Sequence, residues 1–185
     1  MKIEETPLDG CFMLRPRIFE DERGSFFESY NKQSFDQLTG LQVEFVQDNQ
    51  SVSKKGVLRG LHFQTGEYSQ AKLVRVIKGE VLDVAVDLRP NSKTYKQHFS
   101  IILNDENNVQ FFIPRGFAHG FITLSDLAVF AYKCDNYYNK ESELGIIYND
   151  PDLAIDWSAN DIEILLSEKD KELPLLKDLE NAGKL

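Results

Sequence analysis

The sequence predicts a mostly β chain folded as a sandwich or barrel. Short strand-forming runs broken by turn signals recur through its middle, and only two segments carry helical spacing. No linker, repeat or low-complexity stretch divides the 185 residues, so a single domain over 1–185 is expected. Hydrophobic residues make up 42% and charged residues 28%, a balance that supports a core and argues against wholesale disorder.

The expected strands are 11–14, 25–30, 43–47, 57–63, 73–77, 81–88, 98–103, 109–113, 117–124 and 127–134. Runs this short, at this spacing, suit antiparallel sheets better than a parallel sheet with crossover helices. Lys78-Gly79-Glu80 reads as a tight hairpin turn. Along 81–89 the residues alternate. Leu82, Val84, Val86 and Leu88 form one face; Val81, Asp83, Ala85, Asp87 and Arg89 form the other. The simpler expectation puts the second face in water; the other makes it the lining of a wet barrel interior. Residues 32–38 read as a short helical connector. Residues 160–166 read as a second helix, with Ile162, Leu165 and Leu166 at helical spacing and Asn160 or Asp161 as N-cap. The charged tail after Asp170, with Pro174, is expected to pack only in part.

Acidic residues outnumber basic ones, 30 to 21, for a net charge of −9. That balance disfavours nucleic acid and anionic membranes as partners. The two cysteines, Cys11 and Cys134, lie in no metal-type spacing and suit reduced, packed thiols. The N-terminal residues lack the apolar run of a signal peptide, and no stretch reaches the length of a membrane span, so the cytoplasm is the expected compartment.

The chain has three histidines, His62, His98 and His119. A barrel metal site commonly sets two histidines one residue apart on a strand; here the residue so placed from His62 is Gln64, and His98 sits in what looks like an ordinary strand edge. A transition metal is therefore not expected. His62 stands in Arg59-Gly60-Leu61-His62-Phe63-Gln64. It is either a hydrogen-bonded strand histidine or a general base, for which an imidazole suits cytoplasmic pH. Gly60 marks a bulge or a close approach, and a bulge would let Arg59 and His62, of opposite parity, address one cavity. Lys72 shares parity with Val74 and Val76, so it either snorkels out or meets an acid or ligand. Tyr132 shares parity with Ala128 and Phe130 and is expected to point inward, as a packed phenol or a proton donor. In Pro114-Arg115-Gly116-Phe117-Ala118-His119-Gly120-Phe121 a turn explains the glycines but not His119. Arg23, before a turn glycine in Asp21-Glu22-Arg23-Gly24-Ser25-Phe26-Phe27-Glu28, is either solvated or a phosphate clamp.

Taken together these segments resemble the dTDP-4-dehydrorhamnose 3,5-epimerase family. The likeness runs in order through residues 21–28, Gln47-Asp48-Asn49-Gln50-Ser51, 58–64, 70–76 and 83–89. It continues through 113–121, 132–138, Asn149-Asp150-Pro151, Ile155-Asp156-Trp157 and 166–170, nearly the whole chain. Departures are Tyr148, where a tryptophan is usual, and Asn139-Lys140 after Tyr138, where a proline is common.

The resemblance implies a cupin-type jelly-roll barrel with short peripheral helices, one of them near the C-terminus. It implies a homodimer whose partner lends an N-terminal strand, and no metal or other cofactor. The substrate would be a dTDP-4-keto-6-deoxy sugar. By this likeness His62 abstracts the proton, oriented by Asp170; Tyr132 donates one from the opposite face; Lys72 sits by the enolate oxygen; Tyr138 stacks on thymine. Arg23, Glu28, Gln47, Asn49, Arg59, His119, Glu143 and Lys169 match positions that contact the nucleotide sugar, and Phe19 and Phe26 match apolar contacts. Three other readings remain at this point: a single-carbon epimerase on a related 4-keto sugar, a sugar- or nucleotide-binding barrel without catalysis, and a metal-dependent cupin oxygenase.

Overall fold

A computed structural model describes all residues from Met1 to Leu185. Thirteen strands dominate. The first four, β1 (Lys2–Glu5), β2 (Phe12–Arg15), β3 (Phe19–Asp21) and β4 (Gly24–Phe26), precede helix α1 (Lys32–Thr39). The barrel strands follow: β5 (Gln47–Lys54), β6 (Leu58–Gln64), β7 (Lys72–Lys78), β8 (Glu80–Asp87) and β9 (His98–Asn104). Then come β10 (Gln110–Ile113), β11 (Phe117–Thr123), β12 (Leu127–Cys134) and the short β13 (Glu143–Gly145). Two short helices, α2 (Glu168–Lys171) and α3 (Leu176–Asn181), end the chain.

The strands form two antiparallel sheets, β1-β2-β10-β7-β12-β5 and β13-β6-β11-β8-β9, with β3-β4 as a separate hairpin. Val74, Val76, Phe111 and Phe130 of the first sheet meet Val81, Ala85, Leu103 and Phe121 of the second in one apolar cluster between them. That is the jelly-roll barrel with peripheral helices that the family resemblance implied. Gly79 makes the β7–β8 turn at φ 81°, where a Cβ would collide with the Leu127 carbonyl.

Strand β8 corrects the simpler expectation for its polar face. Val81, Asp83, Ala85 and Asp87 are as fully buried as Leu82, Val84 and Val86. The first set faces the barrel interior, and the second is covered by Trp157, Leu176 and Leu179 from the C-terminal segment. The tail after Asp170 therefore packs firmly rather than in part, with Leu176 N–H also tied to Asp150 Oδ2 at 2.7 Å. Asp87 is saturated inside. Arg89 Nε, Nη2 and N–H donate to it at 2.9, 2.7 and 3.0 Å, joined by the hydroxyls of Ser92 and Thr94.

Residues 160–166 are not the expected helix. Ile162, Ile164 and Leu166 alternate inward while Glu163 and Leu165 face out, so a period of two prevails over the helical one. The backbone of Leu165 pairs with the edge of β6, bonding Gly56 O and Leu58 N at 2.8 and 3.0 Å. Most other strand bounds shift by one residue, and two shift further. Residues 43–46 are irregular because Val43 and Phe45 pack on the α1 cluster around Phe35; the strand starts at Gln47. Of the expected 25–30 only Ser25 and Phe26 are strand, within Gly24–Phe26.

Candidate active site

Strands β6 and β11 meet at two glycines. A Cβ on Gly60 would lie 2.6 Å from Gly120 Cα, so neither residue tolerates a side chain without moving backbone. Here β6 takes three steps, Arg59 to His62, against two on β11, Phe121 to His119. This is the bulge the sequence suggested, and it turns Arg59 and His62 into the same cavity.

That cavity holds about 560 Å3 and opens between the two sheets. Of the expected catalytic residues, His62, Lys72, Tyr132 and Asp170 all line it. So do Asn49, Arg59, His119 and Lys169. Asp170 arrives from α2, whose N-cap Ser167 accepts the Asp170 N–H. Asp170 Oδ1 lies 2.6 Å from His62 Nε2. Burial pushes the Asp170 carboxyl up, but hydrogen bonds from His62 and Ser167 outweigh it and hold it below its ordinary value. Lys72 forms a cation–π contact with the Tyr132 ring at 5.9 Å. Burial pushes the Lys72 ammonium down and the Tyr132 phenol up from their ordinary values.

The rim of the cavity is a chain of polar contacts. Tyr138 O–H donates to Glu143 Oε2 at 2.9 Å, and Glu143 pairs with Lys169 Nζ at 2.5 Å. The Tyr138 N–H donates to Gln47 Oε1, and Gln47 Nε2 to Asn49 Oδ1 at 3.0 Å. Burial raises the Glu143 carboxyl, but its bonds from Lys169 and Tyr138 prevail and lower it.

Four expected contact residues stand apart from this cavity in the single chain. Phe19 and Phe26 pair across the β3–β4 hairpin and are 51% and 71% exposed. With Glu28 they line a separate hollow, and Arg23 at the hairpin tip pairs with Asp21.

Sequence reasoning missed several lining and supporting groups. Phe121 and Phe130 stack at 4.2 Å in the cavity wall, and Ser53 Oγ receives Arg59 Nε at 3.1 Å. Ser51 lines the cavity, its hydroxyl buried without a partner. Asp83 supports His119 from inside the barrel, Oδ2 lying 2.9 Å from His119 Nε2. Its parity with Val81 and Ala85 was the available signal.

Residues 5–178 match the family model described as dTDP-4-dehydrorhamnose 3,5-epimerase. The chain is 50% identical over 179 residues to the dTDP-4-dehydrorhamnose 3,5-epimerase of Escherichia coli K12, covering 97% of this chain and 96% of that one. The crystal structure of the enzyme so named from Elizabethkingia anophelis superposes with a TM-score of 0.92 at 56% identity, covering 96% and 97% of the two chains. The Legionella pneumophila Philadelphia 1 epimerase, solved with dTDP-4-keto-L-rhamnose, superposes at 0.94 with 50% identity, over 100% and 96%. Matched almost end to end in both sequence and backbone, the chain belongs to the dTDP-4-dehydrorhamnose 3,5-epimerase family of isomerases.

Proposed function

We propose that the cavity binds dTDP-4-dehydro-6-deoxy-D-glucose and inverts carbons 3 and 5 to give dTDP-4-dehydro-L-rhamnose. One observation carries the assignment of roles: an imidazole backed by a carboxylate, a lysine and a phenol converge on one cavity.

The ketone at carbon 4 acidifies the C–H bonds at carbons 3 and 5. His62 takes the proton, and the electron pair of the broken C–H bond moves onto the carbonyl oxygen as an enolate. Lys72 supplies the positive charge beside that oxygen. Asp170 stabilises the imidazolium, as the carboxylate does in a catalytic triad. Inversion needs a proton on the opposite face, which Tyr132 delivers. Its raised pKa keeps the phenol protonated until the enolate takes the proton. Both groups then reset by exchange with solvent, so the reaction balances in protons alone.

The same reading makes the protein a homodimer in which Phe19, Phe26, Arg23 and Glu28 complete the partner's cavity. The exposed aromatic hairpin supports this. So does the outer face of the six-stranded sheet, where Val52, Ile77 and Leu127 are exposed on neighbouring strands, Val52 by 57%. The two buried free cysteines fit work in the cytoplasm, and no helix is long and apolar enough to cross a membrane.

The test is deuterium exchange from solvent into the keto sugar, coupled to a reductase. The wild-type protein labels carbons 3 and 5; label at one carbon alone points to a single-carbon epimerase. His62→Ala abolishes exchange and keeps nucleotide binding. Undiminished exchange in that variant removes His62 from the base role.

A further inference from the structure

The cavity holds a second imidazole–carboxylate pair beside the first. His119 on β11 lies directly across from His62 on β6. Each ring is tied through Nε2 to a carboxylate, His62 to Asp170 and His119 to Asp83. In both rings Nδ1 makes no hydrogen bond, and neither Nδ1 is among the buried unpartnered atoms. His119 lines the cavity with Nε2 engaged by Asp83, which leaves Nδ1 as its unpaired ring nitrogen.

Asp83 is not explained by the fold. It is fully buried on a strand face shared with Val81, Ala85 and Asp87, and unlike Asp87, whose oxygens are all bonded, its Oδ1 has no partner. A half-satisfied buried carboxylate stabilises a barrel less well than an apolar side chain of the same volume. The groups around His119 are Asp83 on β8, Lys72 on β7, His62 and Arg59 on β6, and Tyr132 on β12. Burial, with Lys72 and His62, pushes the His119 imidazolium down against the pull of Asp83, so the ring rests neutral. A neutral imidazole has one N–H to donate, and the only acceptor within reach of the ring is Asp83 Oδ2 at Nε2.

We propose that Asp83 is a positioning residue that locks His119 as the Nε2–H tautomer, leaving Nδ1 a bare acceptor for a ring hydroxyl of the bound sugar. This rests on the epimerase reading of the cavity. A lone pair repels phosphate oxygens, so His119 reads the hexose and not the diphosphate. A 4-keto-6-deoxyhexose linked through carbon 1 keeps hydroxyls at carbons 2 and 3, and one of these is the donor. The stabilisation of the enolate oxygen then falls to Lys72 and not to His119, which has no proton to offer on that edge.

The tautomer can be read directly, since three histidines give three ring spectra. In protein labelled with 15N-histidine, long-range 15N–1H correlation at about pH 7 should show the His119 proton on Nε2. Asp83→Asn, whose amide can donate to Nε2, should move that proton to Nδ1. The same variant should raise KM for the keto sugar roughly ten- to a hundredfold, the scale of a buried hydrogen bond lost, while dTDP affinity stays unchanged. A wild-type His119 protonated on Nδ1, or doubly protonated, overturns the proposal, and this measurement stands even where the variant fails to fold. An unchanged KM in Asp83→Asn overturns it too. So does an equal loss of affinity for dTDP, which would mark a general structural role. If the chain does not turn over the keto sugar, the resting tautomer still judges Asp83, so the two readings fail separately.

Discussion

At the scale of single residues, the proposed reaction makes the Asp170 carboxylate decide whether His62 works as a base. It fixes the ring through Nε2 at 2.6 Å and offsets the charge the ring acquires. Asp170→Asn preserves size and can preserve a hydrogen bond, but it removes the counter-charge and permits the wrong tautomer. Solvent exchange into the substrate should fall by about a thousand- to ten-thousandfold, the cost of the analogous change in a catalytic triad, with nucleotide affinity held. Equal exchange in the variant and the wild type would strip Asp170 of that role. Residue types announced much of this cavity. A histidine, an arginine and a glycine crowded into an apolar strand have few structural uses, and Lys72 on an apolar strand face called for a partner. Asp83 was harder to place, because alternation alone does not tell a face in water from one inside a barrel.

At the scale of elements, β8 and the loop after it depend on Asp87. Burial raises the carboxyl, but the donors from Arg89, Ser92 and Thr94 overcome it and lower it to about 2 from an ordinary 3.8. The folded form therefore holds its proton less tightly than the unfolded one. The stabilisation is complete above the unfolded value and disappears as pH falls from about 4 to about 2, a loss of about 2 kcal/mol. Urea unfolding of wild type across that window should show this increment, and Asp87→Asn should lack it. Parallel slopes in the two proteins would mean the loop carries no such linkage. Elements were legible where one rule governed them: β12 matches its expected span, and α1 ends one residue later with Asn31 as N-cap and Gly40 as C-cap. The stretch 160–166 was misread because Ile162-Glu163-Ile164-Leu165-Leu166 satisfies both periods, and only the open edge of β6 settles which applies. The strand β5 hid for another reason. Its inward residues Asn49, Ser51 and Ser53 serve the cavity and its arginine, so it lacks the apolar alternation of a strand over a dry core.

At the scale of the whole molecule, one chain builds the cavity but leaves Phe19, Phe26, Arg23 and Glu28 outside it. The dimer with exchanged hairpins proposed above would account for both. Subunits carrying His62→Ala and subunits carrying Arg23→Ala should each be deficient alone. Mixed and reassembled, they should regain activity, since every mixed dimer holds one cavity with both native residues. No recovery, in dimers verified by mass, would return Arg23 to its own chain or to the solvent. Local pattern alone does not place the hairpin, because in the proposed dimer its destination is set by symmetry; only the family resemblance pointed there.

The order of synthesis adds one consequence. The partner of His62 lies 108 positions downstream, on a segment that also closes the outer face of the second sheet. A nascent polypeptide can thus assemble every barrel strand and still lack the carboxylate that pairs with His62. A chain interrupted before Asp170 should therefore be silent in the exchange assay as well as unstable.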